Sequence, residues 1–312
     1  MDLTILAGSS NRSLAEAVAS RLGTALGRVG ISRFPDGELH LEVQQSIRGD
    51  DVFLVQSTSP PVDSNLLEIL LLADACRRAG AARLTAVIPY VGYARQDRRA
   101  TGREPVSARV VADLLQVSGI QRVVAVDLHS PVLEGFFWIP FEHLTAVPTL
   151  AGVLRPLVTS ESVIVAPDLG AAKLADTYAR LLHLPVALIH KTRVSGEAVS
   201  VSGVIGEVRG RAPVIVDDMI STGGTVEAAI RALLAAGCQP DISVVATHAL
   251  LIGSALQRLG SLPVCRLIVS DSVEQPAAVS PLIQTVSLGT LLAEAIGRLH
   301  RGESLEDLLV HR

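Results

Sequence analysis

Short runs of valine, isoleucine and leucine recur along this chain, separated by longer stretches whose apolar positions fall at helical spacing. The runs "LTILAG", "DVFLVQS", "LTAVIPYV", "RVVAVDL", "SVIVAPD", "VALIHK", "PVIVDD", "ISVVATHAL" and "CRLIVSDS" predict strands. They do not alternate apolar with polar, so they predict strands covered on both faces, as in mostly parallel sheets flanked by helices. The stretches "LLEILLLADACRRAG", "SARVVADLLQVSG" and "TVEAAIRALLAAG" predict amphipathic helices, each closing on a Gly suited to a left-handed C-terminal turn. "LHLEV" at residues 39–43 differs: it alternates cleanly and predicts a half-exposed hairpin strand.

A weak internal repeat organises these elements. The segment beginning "DVFLVQSTSPP" can be laid over the one beginning "APVIVDDMIST", each reading strand, loop, helix, Ala-Gly, strand. The Ala79, Gly80 pair and the Ala236, Gly237 pair stand 157 positions apart, about half of the 312 residues. Two related α/β domains follow, expected at 1–145 and 146–312.

Composition narrows the function. With 49% hydrophobic residues the chain fills the core of one large domain or two medium ones. The net charge of -4 leaves no basic surplus for a nucleic-acid backbone. Cys76, Cys238 and Cys265 are odd in number and widely spaced, which fits a reducing compartment rather than a disulfide frame or zinc site. No secretory leader is read at "MDLTILAGSS" and no apolar run is long enough to span a bilayer, so the expectation is a soluble cytoplasmic protein. With 3% aromatic residues, alanine, valine and leucine do most of the packing.

The densest chemistry lies in "VIVDDMISTGGT", residues 214–225. Val214 to Val216 predicts a buried strand, and a helix is expected from Val226 with Ile230, Leu233 and Leu234 on its inner face. The connection therefore sits where free backbone N–H groups and the helix dipole attract an anion. Gly223 and Gly224 permit close approach, Ser221, Thr222 and Thr225 add hydroxyls, and the absence of a lysine excludes a Walker P-loop. Asp217 and Asp218 need another partner, either sugar hydroxyls or a metal. A phosphorylated sugar satisfies both halves, whereas a single acid capping the helix accounts for only one carboxylate.

This stretch resembles the sugar-phosphate motif of type I phosphoribosyltransferases, in which two acids bind the 2- and 3-hydroxyls of ribose 5-phosphate and the loop holds its phosphate. Three further segments, "RFPDGELHLEV" (33–43), "PYVGYARQDRR" (89–99) and "DLHSPVLEGFF" (127–137), resemble ribose-phosphate diphosphokinases, as do "GSSNRSLAEAVASRLG" (8–23) and "GREPVSARVVADLL" (102–115). The resemblance covers nearly the whole chain. It implies two similar phosphoribosyltransferase-like α/β domains and transfer of a diphosphoryl group from ATP to the anomeric hydroxyl of ribose 5-phosphate, with AMP as the other product.

Each segment also has a reading from its own residues. Pro-Asp-Gly in "FPDGE" is strong turn chemistry, and a turn can present an aromatic ring. The resemblance places Phe34 on adenine and Asp36, Gly37 and Glu38 on the nucleotide from a neighbouring subunit, which implies a homo-oligomer. Arg95, Arg98 and Arg99 form a charge run that by itself reads as a solvated turn, but it follows an apolar strand end, where α/β ligands gather. The resemblance assigns Arg95 and Gln96 to ATP. It assigns the nucleotide's Mg²⁺ to His129 and Asp168, two strand-end residues that composition does not single out. Lys191 and Arg193 stand two apart on an extended stretch, where an exposed hairpin with incidental charge is the simpler reading. The resemblance makes them the catalytic Lys-x-Arg on a loop that closes over the substrates, with Arg193 also reaching the sugar phosphate.

The chain departs from the family pattern after Asp168, where "LGAAKLAD" replaces paired glycines, and in "STGGT", where other members carry an acid and an alanine. These departures bear on allosteric control and assembly and spare the matched catalytic positions. Two alternatives are weighed against the diphosphokinase. A type I phosphoribosyltransferase explains the sugar loop but leaves the N-terminal half idle. A non-catalytic regulatory relative is expected to have lost residues that are all present here.

Overall fold

The chain begins with β1 (Leu3–Ala7), buried from Thr4 onward because it is covered on both faces. The computed structural model describes residues 1–195, 198–275 and 280–310, with the side chains of 191–202 outside that description. It divides into two compact units. One comprises Met1–Thr145, Ser272–Glu274 and Ser287–Arg312, and the other Ala146–Asp271 and Gln275–Val286.

In the first unit β1 leads to α1 (Arg12–Arg21), whose N-terminus is capped by Asn11 accepting the Leu14 N–H at 3.2 Å. The hairpin β2 (Val29–Arg33) and β3 (Leu39–Val43) follows, then β4 (Asp51–Val55), α2 (Val62–Arg78) and β5 (Arg83–Ile88). The segment ends with α3 (Ser107–Val117), β6 (Arg122–Val126) and β7 (Phe141–Leu144). The sheet runs β1-β4-β5-β6-β7 and is parallel throughout. Its core joins Leu54, Ile69, Leu72, Ile88 and Leu115, so α2 and α3 bury the apolar stripes that their spacing predicted. "LHLEV" pairs antiparallel with β2 as a separate two-stranded sheet, with alternate residues half-buried and exposed.

The second unit carries α4 (Val147–Leu154), β8 (Ser162–Ala166), α5 (Ala172–Leu182), β9 (Val186–Ser195) and β10 (Ala198–Ile205). It continues with β11 (Ala212–Ile220), α6 (Gly224–Ala235), β12 (Ile242–Ala249), α7 (Ala255–Gly260), β13 (Val264–Ser270) and β14 (Ile283–Val286). The sheet order is β10-β9-β8-β11-β12-β13-β14. Every pairing in it is parallel except β10 with β9. The core is built from Val165, Ile215, Ile230, Leu233, Val244 and Leu267, aliphatic as the low aromatic content required.

Gly80, Gly119 and Gly237 each have positive φ (86°, 105° and 85°) just past α2, α3 and α6. No helix among the described residues is long and apolar enough to cross a membrane.

One expectation is corrected. The second domain does not run from 146 to 312, because α8 (Gly289–Arg301) belongs to the first unit. Its apolar face, including Leu292, Ala295, Ile296 and Leu299, is buried. Gly289 and Gly297 let it approach α1 closely: a Cβ at Gly289 would stand 3.2 Å from Ala17 Cβ, and one at Gly297 3.4 Å from Leu22. Arg21 Nε adds a hydrogen bond to Thr290 Oγ1 at 2.8 Å. An amphipathic helix needs a partner for its apolar face, and here α1 supplies it.

Candidate active site

Strand β11 continues past Val216 to Ile220, and α6 begins at Gly224 rather than Val226. Asp217 and Asp218 therefore lie on the strand itself, with Asp217 in register with Ala246 of β12. The loop between is very short. Gly223 stands at its end with φ 77°, a left-handed conformation that turns the chain into the helix without a Cβ penalty. Among the described residues no side chain caps α6, whose first N–H groups are of the kind that bind anions. Ser221 is half-buried, while Thr222 and Thr225 are exposed.

The two carboxylates crowd each other. Asp217 Oδ1 accepts the Asp218 N–H at 3.0 Å. Burial, followed by the neighbouring charges of Asp218 and Asp168, pushes the Asp217 carboxyl up to about 8. Asp168 follows the C-terminal end of β8, which pairs with β11, so parallel pairing of these two interior strands brings the acids together at the same end of the sheet. Asp168 Oδ1 accepts the N–H groups of Gly170 and Ala171 at 3.0 and 3.3 Å, which opens the turn into α5.

A residue that the sequence reading missed stands beside this loop. Arg258 of α7 donates through Nη1 to Glu227 Oε2 at 2.9 Å, and Nη1 lies 3.8 Å from where a Cβ of Gly224 would stand. Glu227, in the first turn of α6, is held below the usual carboxylate range chiefly by Arg231, with Arg258 assisting. The two guanidiniums offset the charge of Glu227. Nothing in the spacing of Arg258 signals this, because α6 and α7 meet only in the folded unit.

The expected nucleotide segments lie in the first unit. Residues 34–38 form the predicted turn: Phe34 N–H reaches Glu38 O and Gly37 N–H reaches Phe34 O, both at 2.9 Å, with Gly37 at φ 95°. Phe34 remains 48% exposed, its ring edge-on to His40 with centroids 5.1 Å apart. Asp36 Oδ1 accepts the Glu38 N–H at 3.1 Å. Arg95 is exposed. Gln96 anchors α3, accepting Ser107 Oγ at 2.6 Å through its side chain and the Ala108 N–H at 3.2 Å through its carbonyl. Tyr93, with φ 62°, bonds its hydroxyl to Asp63, which raises the phenol above its usual range.

His129 is exposed and follows β6 in the first unit, whereas Asp168 belongs to the second. Among the described residues no three His, Cys, Asp or Glu converge into a ready metal cage. Lys191 and Arg193 lie on β9, opposite Val201 and Val199 of β10. The side chains on which their assigned role depends lie outside the described residues.

Comparison with known proteins bears on the whole chain. Residues 3–119 match the N-terminal domain of ribose phosphate pyrophosphokinase, and residues 151–262 match the phosphoribosyl transferase domain. The ribose-phosphate pyrophosphokinase of Staphylococcus saprophyticus is 40% identical over 310 residues, covering 98% of this chain and 96% of its own. That of Bacillus caldolyticus is 40% identical over 307 residues, covering 98% and 97%. The crystal structure of phosphoribosylpyrophosphate synthetase from Mycobacterium smegmatis superposes with a TM-score of 0.91 at 36% identity, covering 97% of this chain and all of that one.

Proposed function

The chain belongs to the ribose-phosphate pyrophosphokinase family, and on that premise we propose that it transfers the diphosphoryl group of ATP to the anomeric hydroxyl of ribose 5-phosphate. The observation that carries the sugar half is local to the second unit. Two crowded carboxylates on β11 lead within a few residues into a left-handed glycine and an uncapped helix N-terminus. The N–H groups and hydroxyls of 221–225 hold the 5-phosphate, and Asp217 and Asp218 accept from the ring hydroxyls. That answers the apparent conflict of acids beside an anion loop: the phosphate meets the amides and the hydroxyls meet the carboxylates. The match at residues 3–119 accounts for the half that a phosphoribosyltransferase would leave idle.

For the nucleotide, Phe34 stacks on adenine and the 36–38 turn contacts the same molecule, while Arg95 and Gln96 bind ATP. His129 in the first unit and Asp168 in the second are each read as a Mg²⁺ ligand, since an imidazole and a carboxylate are donors that this ion accepts beside phosphate oxygens and water. When bound, Mg²⁺ neutralises phosphate charge. Lys191 and Arg193 hold the transferring group and meet the charge that develops on it, and Arg193 also reaches the sugar phosphate. Removing one such donor costs about 100-fold in rate. The enzyme acts as a homo-oligomer; the exposed Val110, Leu114 and Val117 of α3 with Trp138 form the surface that a second copy would bury.

Incubation with ATP, Mg²⁺ and ribose 5-phosphate tests the proposal. AMP is expected only when the sugar phosphate is present, and Lys191→Ala is expected to abolish most of it without loss of folding. Nucleotide formation from a free base and phosphoribosyl diphosphate, with no AMP from the first mixture, would replace the reading with a phosphoribosyltransferase.

A further inference from the structure

Three contacts hold the backbone on either side of the exposed His129. Asp127 N–H reaches Leu144 O at 3.0 Å. Leu128 N–H donates to His143 Nε2 at 2.8 Å. Ser130 Oγ donates to Asp97 Oδ2 at 2.5 Å. Leu128 and Ser130 are buried while His129 between them is exposed. Asp127 has φ 38°, a left-handed conformation that a non-glycine residue keeps only when its surroundings enforce it.

The chemistry of His143 follows from its neighbours. An amide N–H can only donate, so Nε2 must carry a lone pair, and the ring proton of the neutral form sits on Nδ1. Nδ1 lies 2.7 Å from Glu134 Oε1, the acceptor that this tautomer needs. Glu134 belongs to the short turn Pro131–Phe136 that begins two residues after His129, and His143 lies on β7, in register with Ala125 of β6. The imidazole is 7% exposed, so water does not substitute for either partner at low cost.

We propose that His143 is a positioning residue for nucleotide use: with its Nδ1 proton held by Glu134, it fixes the Leu128 amide and thereby the left-handed turn that presents His129. The inference rests on the reading that His129 meets the Mg²⁺ of the nucleotide. A partner that holds a ligand's backbone acts as an orienting residue does in other metal sites, where its loss costs about 10- to 100-fold in affinity or activity.

The test compares His143→Leu, which removes the acceptor, with His143→Gln, whose Oε1 replaces Nε2, and uses His129→Ala as reference. In ligand-free protein the Leu128 amide is expected to exchange with solvent about 10-fold faster in His143→Leu than in wild type, and to regain protection in His143→Gln. In turnover, His143→Leu should raise the half-activating Mg²⁺ concentration and the KM for ATP about 10-fold, leaving the KM for ribose 5-phosphate within about twofold. His143→Gln should restore both. If His143→Leu fails to fold, His143→Asn, too short to reach the amide, should show the same defect relative to His143→Gln. Wild-type Mg²⁺ dependence in His143→Leu, or equal values for the Asn and Gln variants, overturns the inference. If His129→Ala shifts Mg²⁺ dependence and His143→Leu does not, the positioning role alone fails. If His129→Ala has no effect, the metal reading fails and the inference with it.

Discussion

His300 Nδ1 lies 2.8 Å from Asp51 Oδ2, joining the last turn of α8 to the first residue of β4 across 249 positions of sequence. Asp51 is 1% exposed and shares its carboxylate with Arg83, whose Nε reaches Oδ1 at 3.0 Å. Arg83 Nη2 also donates to the His300 carbonyl at 3.3 Å. The C-terminal helix is thus tied to the first sheet by one buried acid with two partners.

That arrangement predicts an order of damage. Asp51→Ala leaves two donors without their shared acceptor and should cost about 2–4 kcal/mol. His300→Ala leaves Asp51 paired with Arg83 and should cost about 1–2 kcal/mol. Urea unfolding of both variants checks this; equal losses would show that Arg83 contributes nothing once His300 is gone.

The Asp217 carboxyl predicts how stability varies with pH in the absence of ligand. Its folded value of about 8 lies above the ordinary 3.8, so the folded state holds a proton that the unfolded chain has released between those values. Stability from this group is complete below about pH 4 and is lost as pH rises toward 8, with a slope of at most about 1.4 kcal/mol per pH unit. Asp217→Asn removes the titration. It should flatten the fall in stability between pH 5 and 8 while crippling ribose 5-phosphate use. An unchanged pH profile with unchanged kinetics would contradict both halves.

Gly223→Ala forces a Cβ into a left-handed backbone at φ 77°. The strain should cost about 1–2 kcal/mol. Misplaced amides should raise the KM for ribose 5-phosphate about 10- to 100-fold while the KM for ATP holds. Calorimetry with the sugar phosphate reads the binding defect directly.

Phe34→Ala tests the nucleotide turn. The ring is half exposed and meets His40 edge-on, so its loss should leave the melting temperature nearly unchanged. Base–aromatic stacking contributes about 1–3 kcal/mol, so the KM for ATP should rise about 10-fold. A wild-type KM would remove Phe34 from the site.

Much of the fold is legible in the chain because its main signals are local. A buried parallel strand needs a continuous run such as "RVVAVDL", a helix needs a stripe, and a left-handed exit needs Gly80, Gly119 or Gly237. The edge strands β7 and β14 escape notice because four residues are too few to display a period; neighbouring strands make them strands. The loop proposed for the sugar phosphate is picked out for the same reason as the helices. Asp217, Asp218 and Gly223 lie within one short segment, and their chemistry follows from adjacency.

Other features required the fold. Asp168 bears on Asp217 only because β8 pairs with β11, Arg258 reaches Glu227 only because α7 follows β12 back to α6, and His143 meets Leu128 only because β7 lies against β6. The return of α8 to α1 likewise overrides the expectation of two halves in simple succession. By itself, the order of residues determined most of the strands and helices and which short segment gathers two acids, three hydroxyls and two glycines, because those properties reside in neighbours along the chain. The tertiary structure decided which distant charges and hydrogen bonds act on that loop and on His129, because electrostatic and hydrogen-bonding forces depend on distance in space.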